Sequence, residues 1–152
     1  MKRLIFAQEH DIFRESVARF IDTEIAPHTE VWRHAGIVER SAYLKAGAAG
    51  LLCIWADPQF GGTGVDDLRF DQIVIEESVR RGDIAFYIHL HSNLVASYID
   101  KLGSSVLRSR LMPKIVSGEI ILAIAMTEAA KSRSNEGDTR RRRLANQRSH
   151  LQ

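Results

Sequence analysis

Apolar residues recur at helical spacing through most of the chain, and they predict a series of helices rather than a sheet. The first predicted helix carries four apolar side chains at the i, i+4, i+7 and i+8 positions of one face: Phe13, Val17, Phe20 and Ile21. Pro27 is predicted to end this helix, because proline lacks the N–H that a helix interior needs. A short second segment, 29–35, ends at Gly36, and a third helix covers 39–49 before Gly50.

Three longer segments complete the helical pattern. Asp66 is predicted to cap a fourth helix, which closes on Arg80-Arg81-Gly82. A fifth helix, 83–102, begins with an aspartate cap and is apolar on more than one face, as expected of a helix at the centre of a bundle. The sixth helix, 104–116, contains Pro113, where a kink or a restart is expected.

A continuous apolar run, 120–126, follows the last helix. It contains three isoleucines and lies between Gly118-Glu119 and Thr127-Glu128, so a short buried strand is predicted. A single strand leaves its backbone N–H and C=O groups without partners, which implies a sheet that this chain does not supply. The predicted fold class is therefore all-α. It comprises a bundle of about six helices (1–118), one strand of a second domain (119–128) and a tail (129–152).

Composition fits an ordinary globular domain, and charge separates the tail from the body. The 152 residues are 45% hydrophobic and 26% charged, which is enough for one core. Residues 1–130 carry 14 Lys and Arg against 17 Asp and Glu, whereas residues 131–152 carry 7 against 2, so the net charges are −3 and +5. Arg140-Arg141-Arg142-Arg143 resembles a nucleic-acid patch, but the tail has no aromatic side chain for base stacking. Disorder of the tail and no nucleic-acid partner are therefore expected.

The cysteine content and the lengths of the apolar runs bear on the cellular compartment of the protein. The single cysteine, Cys53, rules out an internal disulfide and a cysteine-rich zinc site, and its apolar neighbours predict a buried side chain. The apolar run at the amino terminus is shorter than the roughly 7–15 residues of a signal peptide, and no run approaches the ~18 residues of a membrane span. A reducing, cytoplasmic location is expected.

Three local patterns suggest chemistry, and each has a simpler structural explanation. Gly61-Gly62-Thr63-Gly64 lacks the spacing and the lysine of nucleotide-binding loops, so a tight turn with positive φ angles is favoured. His89 and His91 point about 200° apart around a helix, so no metal site is predicted. The pairs Asp66-Asp67 and Glu76-Glu77 are better explained as a cap and a solvated face than as acid–base pairs.

Several short motifs occur in an order typical of one enzyme family. They are Ala26-Pro27, Lys45-Ala46-Gly47, Gly50-Leu51-Leu52, Phe60-Gly61-Gly62-Thr63-Gly64, Tyr98-Ile99-Asp100-Lys101-Leu102-Gly103, Ser117-Gly118-Glu119 and Ala125-Met126-Thr127-Glu128. Together, over residues 6–128, they resemble the amino-terminal helical domain and first middle-domain strand of the acyl-CoA dehydrogenases. The resemblance implies an FAD-dependent oxidoreductase that converts an acyl-CoA thioester into its trans-2-enoyl form. It also implies electron-transfer flavoprotein as a partner and a homo-oligomer in the full-length family.

The same resemblance implies the site residues. Ala125, Met126 and Thr127 would line the flavin, and Thr127 would hydrogen-bond the ring where reduction adds negative charge. The loop at Gly61-Gly62-Thr63-Gly64 would border the acyl-CoA cleft. The glutamate that removes the α-proton lies in the family's carboxyl-terminal helical domain, so no catalytic residue is expected in this chain.

The resemblance stops after Glu128. The family continues with proline and a Gly-Ser-Asp turn, whereas this chain reads Ala129-Ala130-Lys131-Ser132-Arg133-Ser134. One hypothesis is that the tail is translated out of frame. Residues 144–149 can be encoded so that reading one nucleotide later gives Trp-x-Ile-Asn-Gly, which resembles a family segment expected at about this distance after Glu128. Catalysis and FAD binding by the isolated chain are then not expected, and an exposed strand predicts self-association or the need for a partner. The alternatives are a non-catalytic partner-binding module and the front half of an acyl-CoA oxidase or flavin monooxygenase.

Overall fold

A computed structural model of the chain describes residues 5–81 and 85–126. Within these residues the architecture is helical, with six α-helices and no strand. The helices are α1 (Gln8–Phe20), α2 (Thr29–Ala35), α3 (Arg40–Ala48), α4 (Leu68–Arg80), α5 (Ala96–Leu102) and α6 (Ser105–Val116). The predicted all-α fold class is confirmed.

The path from α1 to α2 stays helical but changes its pitch twice. A π-helical turn, Ile21–Ile25, follows α1, and a 3₁₀ turn, Ala26–His28, leads into α2. Pro27 was predicted to stop the helix, and this is wrong in detail. It lies in the first positions of the 3₁₀ turn, where a missing N–H leaves no helical hydrogen bond unmade.

Glycines and polar caps set several other helix ends. Gly36 ends α2 with a φ of 69°, as expected for a left-handed C-cap. The cap of α4 is Asp67 and not Asp66, because the Asp67 carboxylate accepts a hydrogen bond from the Arg69 backbone N–H at 3.0 Å. Hydrogen bonds from Arg69 also hold the pKa of the Asp67 carboxyl well below its usual range.

The last two helices follow the prediction in part. The expected start of the fifth helix, at Asp83, lies outside the described residues, and a π-helical turn, Leu90–Val95, leads into α5. Ser104 caps α6 by accepting a hydrogen bond from the backbone N–H of Leu107 at 3.3 Å. The helix continues through Pro113 to Val116, so the expected restart does not occur.

Two apolar clusters form the core of the described residues. The larger one joins α1, the π-helical turn after it, α2, α3, α4 and the segment after α3, and it includes Val17, Ile25, Trp32, Leu52 and Ile73. The smaller one lies between α5, α6 and the loop after α3, and it includes Cys53, Ala96, Met112 and Ile115. Each cluster contains residues of the segment between α3 and α4, which therefore connects the two halves of the bundle.

Cys53 is fully buried, as predicted, and burial raises the pKa of its thiol to about 12. Because only the thiolate is nucleophilic, this thiol should be inert in the native protein. We expect a thiol-reactive probe at pH 8 to modify the folded chain at least about a hundredfold more slowly than the denatured chain. A mass-spectrometric time course measures both rates, and rapid modification of the native chain would contradict this burial.

A buried charge lies between α1 and α4. The side chain of Glu77 is only 2% exposed, and its carboxylate pairs with Arg14 of α1 at 2.8 Å and with Arg81. The expectation that Glu76-Glu77 forms a solvated face is therefore wrong for Glu77. Two arginines compensate its charge inside the interface, which permits a carboxylate to be buried there.

The apolar run 120–126 does not form the predicted strand. Residues 121–126 have no regular secondary structure, since the described part of the chain offers no second strand to pair with them. None of the described helices is long and apolar enough to cross a membrane.

Candidate functional site

The segment that leaves α6, residues 117–126, is called the exit segment here because it leads toward the predicted flavin contacts. It begins with a turn in which Gly118 has a φ of 79°. A Cβ atom on Gly118 would lie 2.3 Å from the carbonyl oxygen of Tyr43. Gly47 lies on α3, as Tyr43 does, and a Cβ atom on Gly47 would lie 2.3 Å from the carbonyl oxygen of Ser117. Two glycines thus allow α3 to contact the start of the exit segment directly.

Hydrogen bonds extend this anchoring along the segment. The backbone N–H of Ile120 donates to the carbonyl of Lys114 at 2.9 Å, and the Arg40 guanidinium donates to the carbonyl of Glu119. Further along, the backbone N–H of Leu122 donates to Nδ1 of His91 at 3.1 Å. The exit segment is therefore attached to the helical bundle at three successive points.

The predicted flavin contacts lie beyond these anchors. Ala125 and Met126 are exposed, and Met126 retains 79% of its accessible surface. Thr127 and Glu128 lie outside the described residues. Residues 123–126 are not paired in a sheet. The assignment of Ala125, Met126 and Thr127 to the flavin stays a prediction.

An open cavity of about 660 Å³ borders the exit segment, and sequence reasoning did not find it. Its lining combines apolar side chains with two arginines and a tyrosine: Trp32, Arg33, Gly36, Ile37, Val38, Arg40, Tyr43, Ala85 and Ile121. Burial raises the pKa of Tyr43, so its hydroxyl is neutral at physiological pH. The residues come from α2, the connection between α2 and α3, α3, the segment before the π-helical turn Leu90–Val95, and the exit segment, which no local pattern could have brought together.

The glycine loop is a tight turn, as predicted. Gly61 and Gly64 have φ angles of 92° and 70°. A Cβ atom on Gly62 would lie 2.1 Å from the carbonyl oxygen of Ala56, and the Thr63 hydroxyl donates to the carbonyl of Ile54 at 2.6 Å. These contacts give the loop a packing role within the bundle.

The two histidines have separate surroundings. His91 is buried, with its ring nitrogens 3.1 Å from the carbonyl oxygen of Ile115 and 3.1 Å from the backbone nitrogen of Leu122. Nδ1 of His89 contacts the side-chain amide of Asn93 at 3.1 Å. Over residues 5–81 and 85–126, no three His, Cys, Asp or Glu side chains are grouped to hold a metal ion.

Comparison with known protein families assigns this helical bundle to one class of enzyme domain. The family described as "Acyl-CoA dehydrogenase, N-terminal domain" matches residues 7–119, which cover α1 to α6 and the start of the exit segment. The chain therefore belongs to the acyl-CoA dehydrogenase family.

Individual relatives agree with this assignment. The chain is 41% identical over 135 residues to the mitochondrial long-chain specific acyl-CoA dehydrogenase of Sus scrofa, a match that covers 89% of this chain and 31% of that protein. It is 30% identical over 125 residues to the mitochondrial isovaleryl-CoA dehydrogenase of Bos taurus, covering 80% of this chain and 29% of the relative. The chain thus spans about a third of the length of these relatives.

Solved structures show the same fold. An acyl-CoA dehydrogenase from Geobacillus kaustophilus superposes with a TM-score of 0.78 at 35% identity, covering 85% of this chain and 34% of that one. A glutaryl-CoA dehydrogenase from Mycobacterium smegmatis, solved in complex with FADH2, gives a TM-score of 0.69 at 18% identity, covering 77% of this chain and 30% of that one. The second likeness concerns the fold alone.

Proposed function

We propose that this chain is the amino-terminal helical part of an FAD-dependent acyl-CoA dehydrogenase, which forms an α,β double bond in a fatty acyl-CoA thioester. The family match over residues 7–119 carries this proposal. Bound FAD supplies the oxidising power, since it accepts the two electrons that the acyl chain loses. The catalytic base is assigned to the part of the family that this chain does not cover. We therefore propose that the isolated chain is not catalytically competent.

In this proposal the chain orients a cofactor-contacting segment. α3 and the π-helical turn before α5 fix the start of the exit segment, and the exposed residues Ala125 and Met126 continue toward the flavin with Thr127. Hydrogen-bond donors held in place there favour the reduced, more negative ring without reorganisation during the reaction. Electron-transfer flavoprotein and a homo-oligomeric assembly are proposed as partners of the full-length protein.

A chimaera tests the proposal. Residues 7–127 of this chain replace the corresponding domain of the Geobacillus kaustophilus acyl-CoA dehydrogenase, to which the chain is 35% identical. We expect a yellow protein that retains FAD and oxidises acyl-CoA thioesters. Because the relatives named above include long-chain and isovaleryl-CoA dehydrogenases, the substrates tested should span long, short and branched acyl chains.

A pair of threonine variants tests the site within the chimaera. Thr127→Ala should weaken FAD binding by about tenfold or more, because it removes a hydrogen bond to a group that gains charge. Thr23→Ala is the matched control, since the exposed Thr23 hydroxyl donates to the carbonyl of Arg19 within its own helical turn. A folded chimaera without FAD would contradict the proposed function. Equal effects of the two variants would contradict the proposed role of Thr127 but not the proposed function.

A further inference from the structure

His91 lies where α6 and the exit segment meet. The residue is about 1% exposed, and its ring contacts the chain on both sides of the turn at Ser117-Gly118. Nε2 lies 3.1 Å from the carbonyl oxygen of Ile115, and Nδ1 lies 3.1 Å from the backbone nitrogen of Leu122. The two partners are 24 and 31 residues away along the chain, so His91 bridges elements that are distant in sequence.

These contacts determine the tautomer. A carbonyl oxygen only accepts hydrogen bonds, so Nε2 must carry the proton that it donates to Ile115. A backbone N–H only donates, so Nδ1 must be unprotonated to accept from Leu122. A neutral ring with its proton on Nε2 satisfies both partners, whereas an imidazolium would place two N–H groups against each other at Leu122.

We propose that His91 is a positioning residue whose neutral Nε2–H tautomer acts as a latch on the exit segment at Leu122. The latch sets the path of residues 123–126 as they leave the bundle, and protonation of His91 releases it. The link from this path to flavin contact rests on the proposed function, whereas the latch itself does not.

The surroundings of His91 favour the neutral ring. Burial lowers the pKa of His91 below its usual value of 6.5, and the contact with the Ile115 carbonyl offsets this in part. On α3 the Tyr43 ring makes an edge contact with a centroid distance of 6.0 Å. In the segment after α3, the Cys53 backbone N–H donates a hydrogen bond to the hydroxyl of Ser92, the residue that follows His91. Burial raises the pKa values of Tyr43 and Cys53, so both stay uncharged below pH 8.

Other titratable groups near this site lie outside its core. Lys114 and Glu119, on either side of the turn, are exposed, and His89 on the same helical segment bonds Asn93. None of them makes a hydrogen bond to the His91 ring within the part of the chain that the structure describes.

The direction of the pH dependence follows from the lowered pKa. The latched state binds fewer protons than an open state in which the ring is hydrated and has its usual pKa of about 6.5. The latch is therefore fully present above pH 6.5. It weakens as the pH falls below that value toward the lower pKa of the latched ring.

Nuclear magnetic resonance of the full ¹⁵N-labelled chain tests the latch without FAD. The chemical shifts of the ring nitrogens at pH 8 should show that His91 is protonated at Nε2 and unprotonated at Nδ1. The hydrogen-exchange protection factor of the Leu122 amide should fall by about tenfold between pH 8 and pH 5, the loss of one hydrogen bond. Amides in α1 and α4 should keep their protection over this range. A proton on Nδ1, or a Leu122 protection factor that does not change with pH, would overturn the proposal.

Variants separate positioning from simple packing. His91→Gln keeps a donor and an acceptor but does not titrate, so protection of Leu122 should persist and become independent of pH. His91→Leu should remove this protection, and His34→Gln, at an exposed histidine of α2, should change nothing. If His91→Leu does not fold, the wild-type titration and His91→Gln still decide the result. Loss of Leu122 protection in His91→Gln at pH 8 would overturn the latch.

The two proposals fail in different ways. A pH-dependent Leu122 amide together with a chimaera that lacks FAD would overturn the proposed function and leave the latch intact. FAD retention in the chimaera together with a Leu122 amide whose protection does not depend on pH would overturn the latch and leave the proposed function intact.

Discussion

Replacement of Glu77 by alanine is expected to destabilise the helical bundle by about 3 kcal/mol, because removal of the buried carboxylate leaves the charge of Arg14 only partly compensated in the interface. Glu77 is 2% exposed and pairs with Arg14, which is itself only 19% exposed. The remaining contact of Arg14 with Glu76 at 2.9 Å keeps the expected loss at the low end of the range for buried ion pairs. Urea unfolding followed by circular dichroism measures the change.

The exposed ion pair between Glu30 and Arg33 provides the matched control. Its side chains are 72% and 60% exposed, so Glu30→Ala should change the free energy of unfolding by less than about 1 kcal/mol. Glu77→Gln keeps the shape of the side chain but removes its charge, and should fall between the two. If Glu77→Ala were as stable as Glu30→Ala, the buried ion pair would not hold α1 against α4.

Replacement of Gly118 by alanine should cost about 2–5 kcal/mol, because positive-φ strain adds to overpacking against the backbone. Gly118 has a φ of 79°, and an added Cβ atom would lie 2.3 Å from the carbonyl oxygen of Tyr43. That oxygen belongs to α3 and cannot move aside as a flexible side chain would. The expected result is lower stability and displacement of the exit segment. Urea unfolding and the protection factor of the Leu122 amide report these two effects.

Gly50→Ala is the control that separates the two contributions. Gly50 has a similar φ of 68°, but a Cβ atom there would meet nothing within 4 Å. This variant should therefore lose only the conformational contribution, about 1–2 kcal/mol. Equal losses for Gly50→Ala and Gly118→Ala would show that the close approach of α3 to the turn does not matter.

The family motif Ser117-Gly118-Glu119 acquires a physical meaning from these contacts. Gly118 permits the backbone of α3 to approach, and the Glu119 carbonyl accepts a hydrogen bond from Arg40. The motif thus directs the chain out of the bundle along one path. We propose that in the full-length enzyme this path leads to the flavin.

Local patterns predicted the helices well, because helix formation depends on residues within a few positions of each other. The apolar spacing of α1, the glycine at Gly36 and the serine cap at Ser104 are all visible in short windows of sequence. The family motifs were equally visible, and they indicated the family that the match over residues 7–119 then confirmed. Errors of one residue, such as Asp66 for Asp67, arose where two equivalent caps are adjacent.

The sequence by itself determined the helical fold class, the family and the burial of Cys53, since each depends on short-range patterns. Tertiary structure decided that Glu77 is buried, because its partner Arg14 lies 63 residues away. It also left 121–126 without a strand, because strand formation needs a neighbour that no apolar run supplies. The His91 latch depends in the same way on Ile115 and Leu122, partners that only the packing of α6 against the π-helical turn brings within hydrogen-bond distance.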